Sequence, residues 1–328
     1  MIEHPIPLRD QRWPEGTPPT VSIFCITYNH EKFIRDAIEG FLMQETTFPV
    51  EIFVHDDAST DDTPRILEQY ALKYPNHFKI VIQKQNQWSK QGNQLFFELL
   101  SNLKGKYIAI CEGDDYWIKP EKLETQFKVL KTNPASSGCY HRVYVEKRGE
   151  RKELYPAKDD FQKVDLKTAL KKHSIPTCSL FIRKKTYLNM RWAKKLLMAD
   201  WPLITECAKE GMILPLEGIY AVYRNHDEGL WNRQSQYQRA EALQQFYDTA
   251  HRHYKKEITD ELKGFRKTNI AYMASAAYAE GKVLQVLKSY CYYFFCGPKK
   301  FLLPKKQKRI WLYLLTFGLL KYQRIKKK

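Results

Sequence analysis

Four short apolar runs punctuate the first 111 residues, and each ends in a polar stretch. VSIFCIT (21–27), VEIFVH (50–55), FKIVIQ (78–83) and KYIAIC (106–111) are rich in β-branched and aromatic residues and read as strands. The segments between them carry a helical period. In EKFIRDAIEGFLMQ (31–44), the pairs Phe33/Ile34, Ala37/Ile38 and Phe41/Leu42 recur every four residues, which predicts an amphipathic helix. DDASTDDTPRILEQYALKY opens a second helix. Ser59 or Thr60 fits its N-cap, Asp61 and Asp62 suit its positive end, and Pro64 fits its first turn. GNQLFFELLSNL (92–103) is a third helix. This alternation predicts an α/β fold built on an open, mostly parallel central sheet flanked by helices.

Further along, a helix is expected at 120–132, beginning at Pro120, and a strand at CYHRVYVE (139–146). A charged loop, a strand-like TCSLFIRK (177–184), a short helix at 200–211 and a strand-like IYAVYRNH (219–226) follow. Residues 1–20, Pro-rich from residue 5, read as an extended arm. The main domain is expected over 21–232, and 233–328 as a helical C-terminal region with Tyr- and Ala-rich helices across 236–290. No internal repeat is present.

In open α/β sheets the ligand crevice lies beyond the carboxyl ends of the strands. Three polar stretches fall there: TYNH (27–30), HDDAST (55–60) and EGDD (112–115). Each alone could be a solvated loop; three at one sheet edge look like a site. Glu112, Asp114 and Asp115 crowd three carboxylates into four residues, with Gly113 expected to allow a tight turn. Carboxylates of this kind suit a hard divalent cation such as Mn²⁺ or Mg²⁺, although a solvated acidic loop is the plainer reading. Asp56 and Asp57 follow their strand directly. They either complement the next helix dipole or face the crevice, where an Asp can accept from a nucleobase N–H or a ribose hydroxyl.

Composition sharpens this picture in three ways. With 328 residues and 43% apolar content, the chain can form one large α/β domain plus an appendage, or two domains. Seven scattered Cys with no C-x-x-C pair point to a reducing compartment, and the N-terminus shows no apolar core of a secretory signal. The net charge of +17 is uneven. Residues 281–328 carry 13 Lys/Arg and no acid, leaving 41 basic against 37 acidic groups, a net +4, in residues 1–280. A nearly neutral main domain argues against nucleic acid as a partner. In the basic tail, IWLYLLTFGLL (310–320) is about half of the ~20 residues a bilayer span needs. Flanking Lys/Arg with Trp311, Tyr313 and Tyr322 suit a peripheral anchor on an anionic membrane surface; a helix packed on the domain is the alternative.

VSIFCITYNHEKFIRDAIEGFLMQ, EIFVHDDASTDDT and KYIAICEGDDYWIKPEKLETQ, with PTCSLFIRK, ADWPL and YAVYRNHDEGLW after them, resemble family 2 glycosyltransferases of the GT-A fold. The likeness covers roughly 20–232 and is strongest to a bacterial surface-polysaccharide branch with an HDDAS and CEGDDYW pair. It implies that Thr27, Tyr28 and Asn29 line a nucleotide pocket and that Asp57, with Asp56, holds base and ribose. It puts Glu112 and Asp114 at D-x-D positions toward ribose and a metal–diphosphate, with Glu in place of the commoner first Asp. Asp115 would assist in metal or sugar binding. Asp200 matches the catalytic base, although spacing alone allows a helix N-cap equally. His226 matches a position near diphosphate and metal, beside Glu112 and Asp114.

The implied reaction is inverting, with a base on the acceptor side and a cation at the leaving diphosphate. The donor would be a nucleotide-sugar, UDP-linked by preference, and the acceptor a glycan or lipid-linked glycan. The implied place is the cytoplasmic face of the inner membrane. Thr177 and Ser179 are either acceptor-facing or ordinary strand residues. Two rivals fit less well. A metal-dependent nucleotidyltransferase needs a third separated carboxylate and a basic channel, and a pyrophosphorylase needs a Gly-rich loop where this chain has TYNHEKF. A non-catalytic membrane-bound scaffold would not need Asp57, Glu112, Asp114 and Asp200 all intact.

Overall fold

A computed structural model describes residues 2–187, 190–255 and 257–296. The apolar run at 310–320 and the basic tail around it lie outside the described residues. The chain divides into two units, the first ending at Arg233 and the second beginning at Gln234.

The first unit holds a nine-stranded sheet. Its strands are β1 (Val21–Thr27), β2 (Val50–Asp56), β3 (Phe78–Ile82), β4 (Tyr107–Ile110), β5 (Tyr116–Trp117), β6 (Gly138–Lys147), β7 (Glu150–Tyr155), β8 (Phe181–Arg183) and β9 (Ile213–Arg224). The order is β3-β2-β1-β4-β8-β6-β9-β5, with β7 paired to β6. β1 to β4 pair in parallel throughout. The other half is mixed: β6 and β9 are parallel, while β8, β5 and β7 run antiparallel to their neighbours. Val21, Ile23, Phe24 and Cys25 are all fully buried, as expected of a parallel strand covered on both faces.

Helix α1 (Ile34–Leu42) buries Ile34, Ala37, Ile38, Phe41 and Leu42, the stripe its period predicts. It starts three residues later than expected, because residues 31–33 are tied elsewhere. Glu31 N–H donates to Asp61, and Asp62 N–H donates back to Glu31. α2 (Thr63–Lys73) also starts late, so neither Ser59 nor Thr60 caps it. Ser59 serves Asp56 and Asn29 instead, and Asp61 Oδ1 accepts from Thr63 N–H at 3.0 Å. α3 (Asn93–Asn102) and α4 (Lys122–Thr132) follow.

The charged loop after β6 is largely ordered structure. β7 folds back on β6 through Arg148 and Gly149, both at positive φ, the backbone of a two-residue hairpin turn. α5 (Leu166–Lys171) comes next. Thr177–Ser179 is a 3₁₀ turn rather than strand, and β8 begins only at Phe181. α6 (Asp200–Glu210) precedes β9. The N-terminal arm is tied down: Ile6–Pro7 pairs with Glu45–Thr46, and Leu8 is buried.

The second unit contains α7 (Gln236–His253), α8 (Thr259–Ala279) and α9 (Val283–Cys296). Ser235 and Gln238 form a capping box on α7. Tyr237, Ala240, Met273, Ala276, Ala277 and Val286 make a small core. Among the described residues, no helix is long and apolar enough to cross a membrane.

Candidate active site

Strand register brings the three polar stretches to one edge. Thr27 pairs with Asp56, so β1 and β2 end level. Beyond β4 the backbone ladder continues: Cys111 N–H donates to Phe24 O at 3.1 Å and Gly113 N–H to Ile26 O at 2.9 Å. Residues 112–114 therefore run beside the end of β1.

Glu112, Asp114 and Asp115 present carboxylate oxygens within 4.8 Å of one another. Their environments differ. Asp114 Oδ2 lies 3.0 Å from His226 Nε2 and 3.8 Å from His30 Nε2. Burial pushes the Asp114 carboxyl up, but the His226 hydrogen bond and the two imidazoles outweigh it and hold it below its ordinary value. Glu112 is driven well up by burial and then by Asp114, Asp115 and Asp200. Asp115 is driven well up by burial and Asp114, against the hydrogen bond its Oδ1 accepts from Arg224 N–H at 2.8 Å. Its Oδ2 is buried with no hydrogen-bond partner among the described residues. The His226 pKa rises, chiefly through its hydrogen bond to Asp114. The side chains of Asp114 and His226 remain about one fifth exposed, so the cluster is reachable.

The TYNH and HDDAST loops are laced together. Asn29, at φ +57°, accepts Thr60 N–H on Oδ1 at 2.8 Å and donates its own N–H to Ser59 Oγ at 2.8 Å. Asp56 does not face the crevice. It is fully buried, and its carboxylate accepts Ser59 N–H at 3.0 Å and the Ser59 hydroxyl. Asp57 accepts the backbone N–H groups of Gln87 and Trp88 at 2.7 and 2.9 Å, fixing the loop that leads into α3. Each of its oxygens keeps a lone pair for another donor. Tyr28 is exposed, and Thr27 is buried with its hydroxyl unpartnered among the described residues.

Asp200 opens α6 and does not cap it with its side chain in the usual way. Its Oδ1 accepts Trp201 N–H at 2.8 Å, and its Oδ2 lies 2.9 Å from His173 Nε2 and 3.4 Å from the Thr177 hydroxyl. Burial pushes the Asp200 carboxyl up, yet His173 outweighs this and holds it below its ordinary value. Because Asp200 is among the charges acting on Glu112, the two share one electrostatic environment. Of Thr177 and Ser179, Thr177 reaches Asp200; Ser179 is buried and donates to Pro176 O.

Three residues without a role in the sequence reading belong to this edge: His30, His173 and Arg224. His30 and His173 face Asp114 and Asp200. Arg224 joins Glu146 Oε1 at 3.2 Å, the Asp114 carbonyl at 3.1 Å and the Asp36 carboxylate, with its guanidinium 4.1 Å from the Tyr116 ring centre and 5.1 Å from that of Phe33. A cavity of about 220 Å³ opens there, lined by Phe33, Glu146, Arg148, Arg224 and His226 among others.

Known proteins match this chain over the same region. The family described as Glycosyl transferase family 2 matches residues 22–188. Over 213 residues the chain is 38% identical to the uncharacterized protein Rv1520 of Mycobacterium tuberculosis, covering 65% of this chain and 60% of that relative, so the match spans less than two thirds of the relative's length. The structure superposes with a TM-score of 0.53 on Staphylococcus aureus TarS 1-349 in complex with UDP-GlcNAc, at 16% identity over 87% of this chain and 95% of that one. The same score is reached with the mannosyltransferase PcManGT of Pyrobaculum calidifontis in complex with GDP-Man and Mn²⁺, at 17% identity over 87% and 84% of the two chains. With a family match that runs over half the chain, from β1 through β8 and across all three polar loops, this protein belongs to glycosyltransferase family 2 and has the GT-A fold.

Proposed function

We propose that the chain is an inverting, divalent-metal-dependent glycosyltransferase. It moves a sugar from a nucleotide-diphosphate donor, a UDP-sugar by first choice, to a glycan or lipid-linked glycan acceptor of a bacterial surface polysaccharide. One observation carries this reading: a partly exposed acidic cluster with two imidazoles at the end of β4, and an ionised Asp200 that feels the same cluster from α6.

The donor set fits a hard cation. Glu112 and Asp114 offer oxygen ligands within 4.8 Å, Asp115 Oδ2 adds a buried oxygen, and His226 a nitrogen. A bound Mn²⁺ or Mg²⁺ would stabilise negative charge on the leaving diphosphate. Thr27, Tyr28, Asn29 and Asp57 would hold the nucleotide, with Asp56 organising their loop from within. Asp200 takes the proton of the acceptor hydroxyl as its oxygen bonds to the anomeric carbon and the diphosphate departs. TarS with UDP-GlcNAc and PcManGT with GDP-Man carry the same fold with different nucleotides, so donor choice here rests on the loops. Attachment to an anionic membrane surface at the cytoplasmic face through 297–328 belongs to the same reading and is supported by the tail's sequence pattern.

The test is calorimetric titration with UDP, GDP and CDP, each with and without Mn²⁺. One nucleotide should bind in a Mn²⁺-dependent manner. No binding under any condition would move the scaffold reading to the front.

A further inference from the structure

His173 is built into its place from three elements. Its carbonyl accepts the Tyr155 hydroxyl of β7 at 2.7 Å. Its ring stands edge-on to Trp201 of α6, with centroids 5.7 Å apart and an interplanar angle of 72°. Trp201 is itself anchored by an indole N–H donated to Ala169 O of α5 at 2.6 Å. The same Trp201 supplies the backbone N–H that holds Asp200 Oδ1, while His173 Nε2 meets Oδ2. Oδ1 is therefore held by a hydrogen bond and Oδ2 by the 2.9 Å contact with His173 Nε2, an ion-pair contact rather than an aligned hydrogen bond, each from a different direction. The side chains of His173 and Asp200 are 27% and 29% exposed, so the pair is fixed but open to an acceptor.

The other groups facing Asp200 are Glu112 across the crevice, the Thr177 hydroxyl and the Tyr155 phenol. Asp160 acts on Tyr155 and is itself paired with Lys172. Of these groups, Glu112 when ionised opposes a charged Asp200, the Thr177 and Tyr155 hydroxyls are neutral, and His173 is the one that can carry positive charge.

We infer that His173 is a positioning residue for the base: it orients the Asp200 carboxylate and serves as its counter-charge. The inference rests on the reading of Asp200 as base. In the step it supports, the acceptor O–H bond breaks and its proton goes to Asp200. The oxygen's electron pair forms the bond to the anomeric carbon, and the bond from that carbon to the diphosphate oxygen breaks with its pair leaving on the diphosphate. His173 exchanges no bond in this step. Its effect is on geometry and on when Asp200 is ionised. Without it, burial weighs more heavily, Asp200 takes up its proton at higher pH, and the acid limb of the rate profile moves upward.

The experiment compares His173→Ala, His173→Gln and Asp200→Asn in the full chain. Mn²⁺-supported nucleotide binding is measured by calorimetry. Turnover of the sugar nucleotide whose base binds is followed as nucleoside diphosphate release across pH, with water as acceptor. His173→Ala should keep nucleotide affinity and donor KM and lower kcat about 10- to 100-fold, with the acid limb displaced to higher pH. His173→Gln restores an N–H donor without charge. It should recover most of kcat but not the limb. A His173→Ala enzyme with wild-type kcat and an unmoved limb overturns the inference; if that variant does not fold, the limb of His173→Gln decides. A double-mutant cycle in thermal unfolding gives an activity-independent readout. Non-additive melting-temperature losses for the two positions are expected, and strictly additive ones count against the pairing. Asp200→Asn separates the two claims. If it turns over donor at the wild-type rate, the base reading falls; if it is inactive while His173→Ala is normal, only the role of His173 falls.

Discussion

Gly113 offers a direct test of how the acidic cluster is held. The tight turn expected between Glu112 and Asp114 is present, with Asp115 N–H donating to Glu112 O at 3.1 Å, but Gly113 is not among the glycines at positive φ, so the turn does not require it. What it provides is room. A Cβ there would lie 2.8 Å from both Thr27 Cβ and Thr27 Oγ1, and 3.0 Å from His30 Nδ1, where ordinary contact begins at 3.4 Å. Something must move by about 0.6 Å to restore contact distance. Thr27 cannot rotate away, because its Cβ is fixed to the last residue of a buried strand and it is only 3% exposed. The 112–114 backbone has to shift and take both carboxylates with it. Overpacking of this kind costs about 1–3 kcal/mol. In a unit ending at Arg233, that lowers the melting temperature by about 2–12 °C. A misplacement approaching 1 Å is worth up to about 100-fold in a positioned reaction, so Gly113→Ala should weaken turnover by about 10-fold or more. The assay is Mn²⁺-supported nucleotide titration beside a thermal melt and a turnover measurement. A variant with wild-type melting temperature refutes the close packing. A lowered melting temperature with unchanged Mn²⁺-dependent affinity and turnover leaves the packing standing and refutes the cluster's place in donor binding.

Asp114→Ala should abolish Mn²⁺-dependent nucleotide binding, and a chelator should do the same to the unaltered protein; binding indifferent to both removes the metal from the mechanism. Lys122 is fully buried, with Nζ 4.0 Å from the Trp117 ring centre and 2.7 Å from Gln126 Oε1, and burial pulls its pKa down to about 8. The unfolded chain protonates near 10.5 and the folded chain near 8, so as pH falls through that window the unfolded state binds more protons and stability is lost, by about 3 kcal/mol in all. Compared with Lys122→Met, the wild type should therefore gain about that much unfolding free energy between pH 8 and 10.5, with no differential slope below 8; parallel curves throughout would contradict the depressed pKa. Deleting residues 298–328 should release the protein from anionic vesicles, and undiminished co-sedimentation would rule out the tail as the anchor.

Legibility in the sequence followed the range of the interactions. β1 and β2 show plainly because strands buried on both faces are largely apolar, as VSIFCIT and VEIFVH are. β7 does not, because ERKELY has a charged, helix-compatible composition; it is a strand only because Arg148 and Gly149 turn it back onto β6. The start of α2 was misplaced for a related reason. Ser59 is a good cap in isolation, but in the fold its hydroxyl is taken by Asp56 and Asn29. At the site, clustered carboxylates at strand ends were visible as motifs. Of their partners, only His226 is named by the sequence, and only through the family resemblance. Asp36 and Arg224 are 188 residues apart, and Asp114 and His226 are 112 apart. No local pattern announces such pairs, and only strand order brings them together. His173 carried no signal at all beyond being a histidine near a helix end.

The same long-range partners explain why a knot of like charge survives at the end of a buried strand. Three ionised carboxylates within 4.8 Å would repel one another strongly where burial leaves little water to screen them. The fold divides the load unequally. Two imidazoles stand at Asp114 and keep it charged, whereas Glu112 and Asp115 are pushed toward the neutral form. Arg224 adds a backbone donor to Asp115 and a guanidinium on the Asp114 carbonyl, lies over the Phe33 and Tyr116 rings, and through Asp36 ties α1 to β9. A structural device alone would not need this arrangement, since apolar residues of similar volume pack as well at less cost. The asymmetry makes sense for a cluster that must wait, partly open to solvent, for positive charge from outside. That is why the chelator and Asp114→Ala are expected to act alike, and why Gly113, which touches no ligand itself, is still expected to matter.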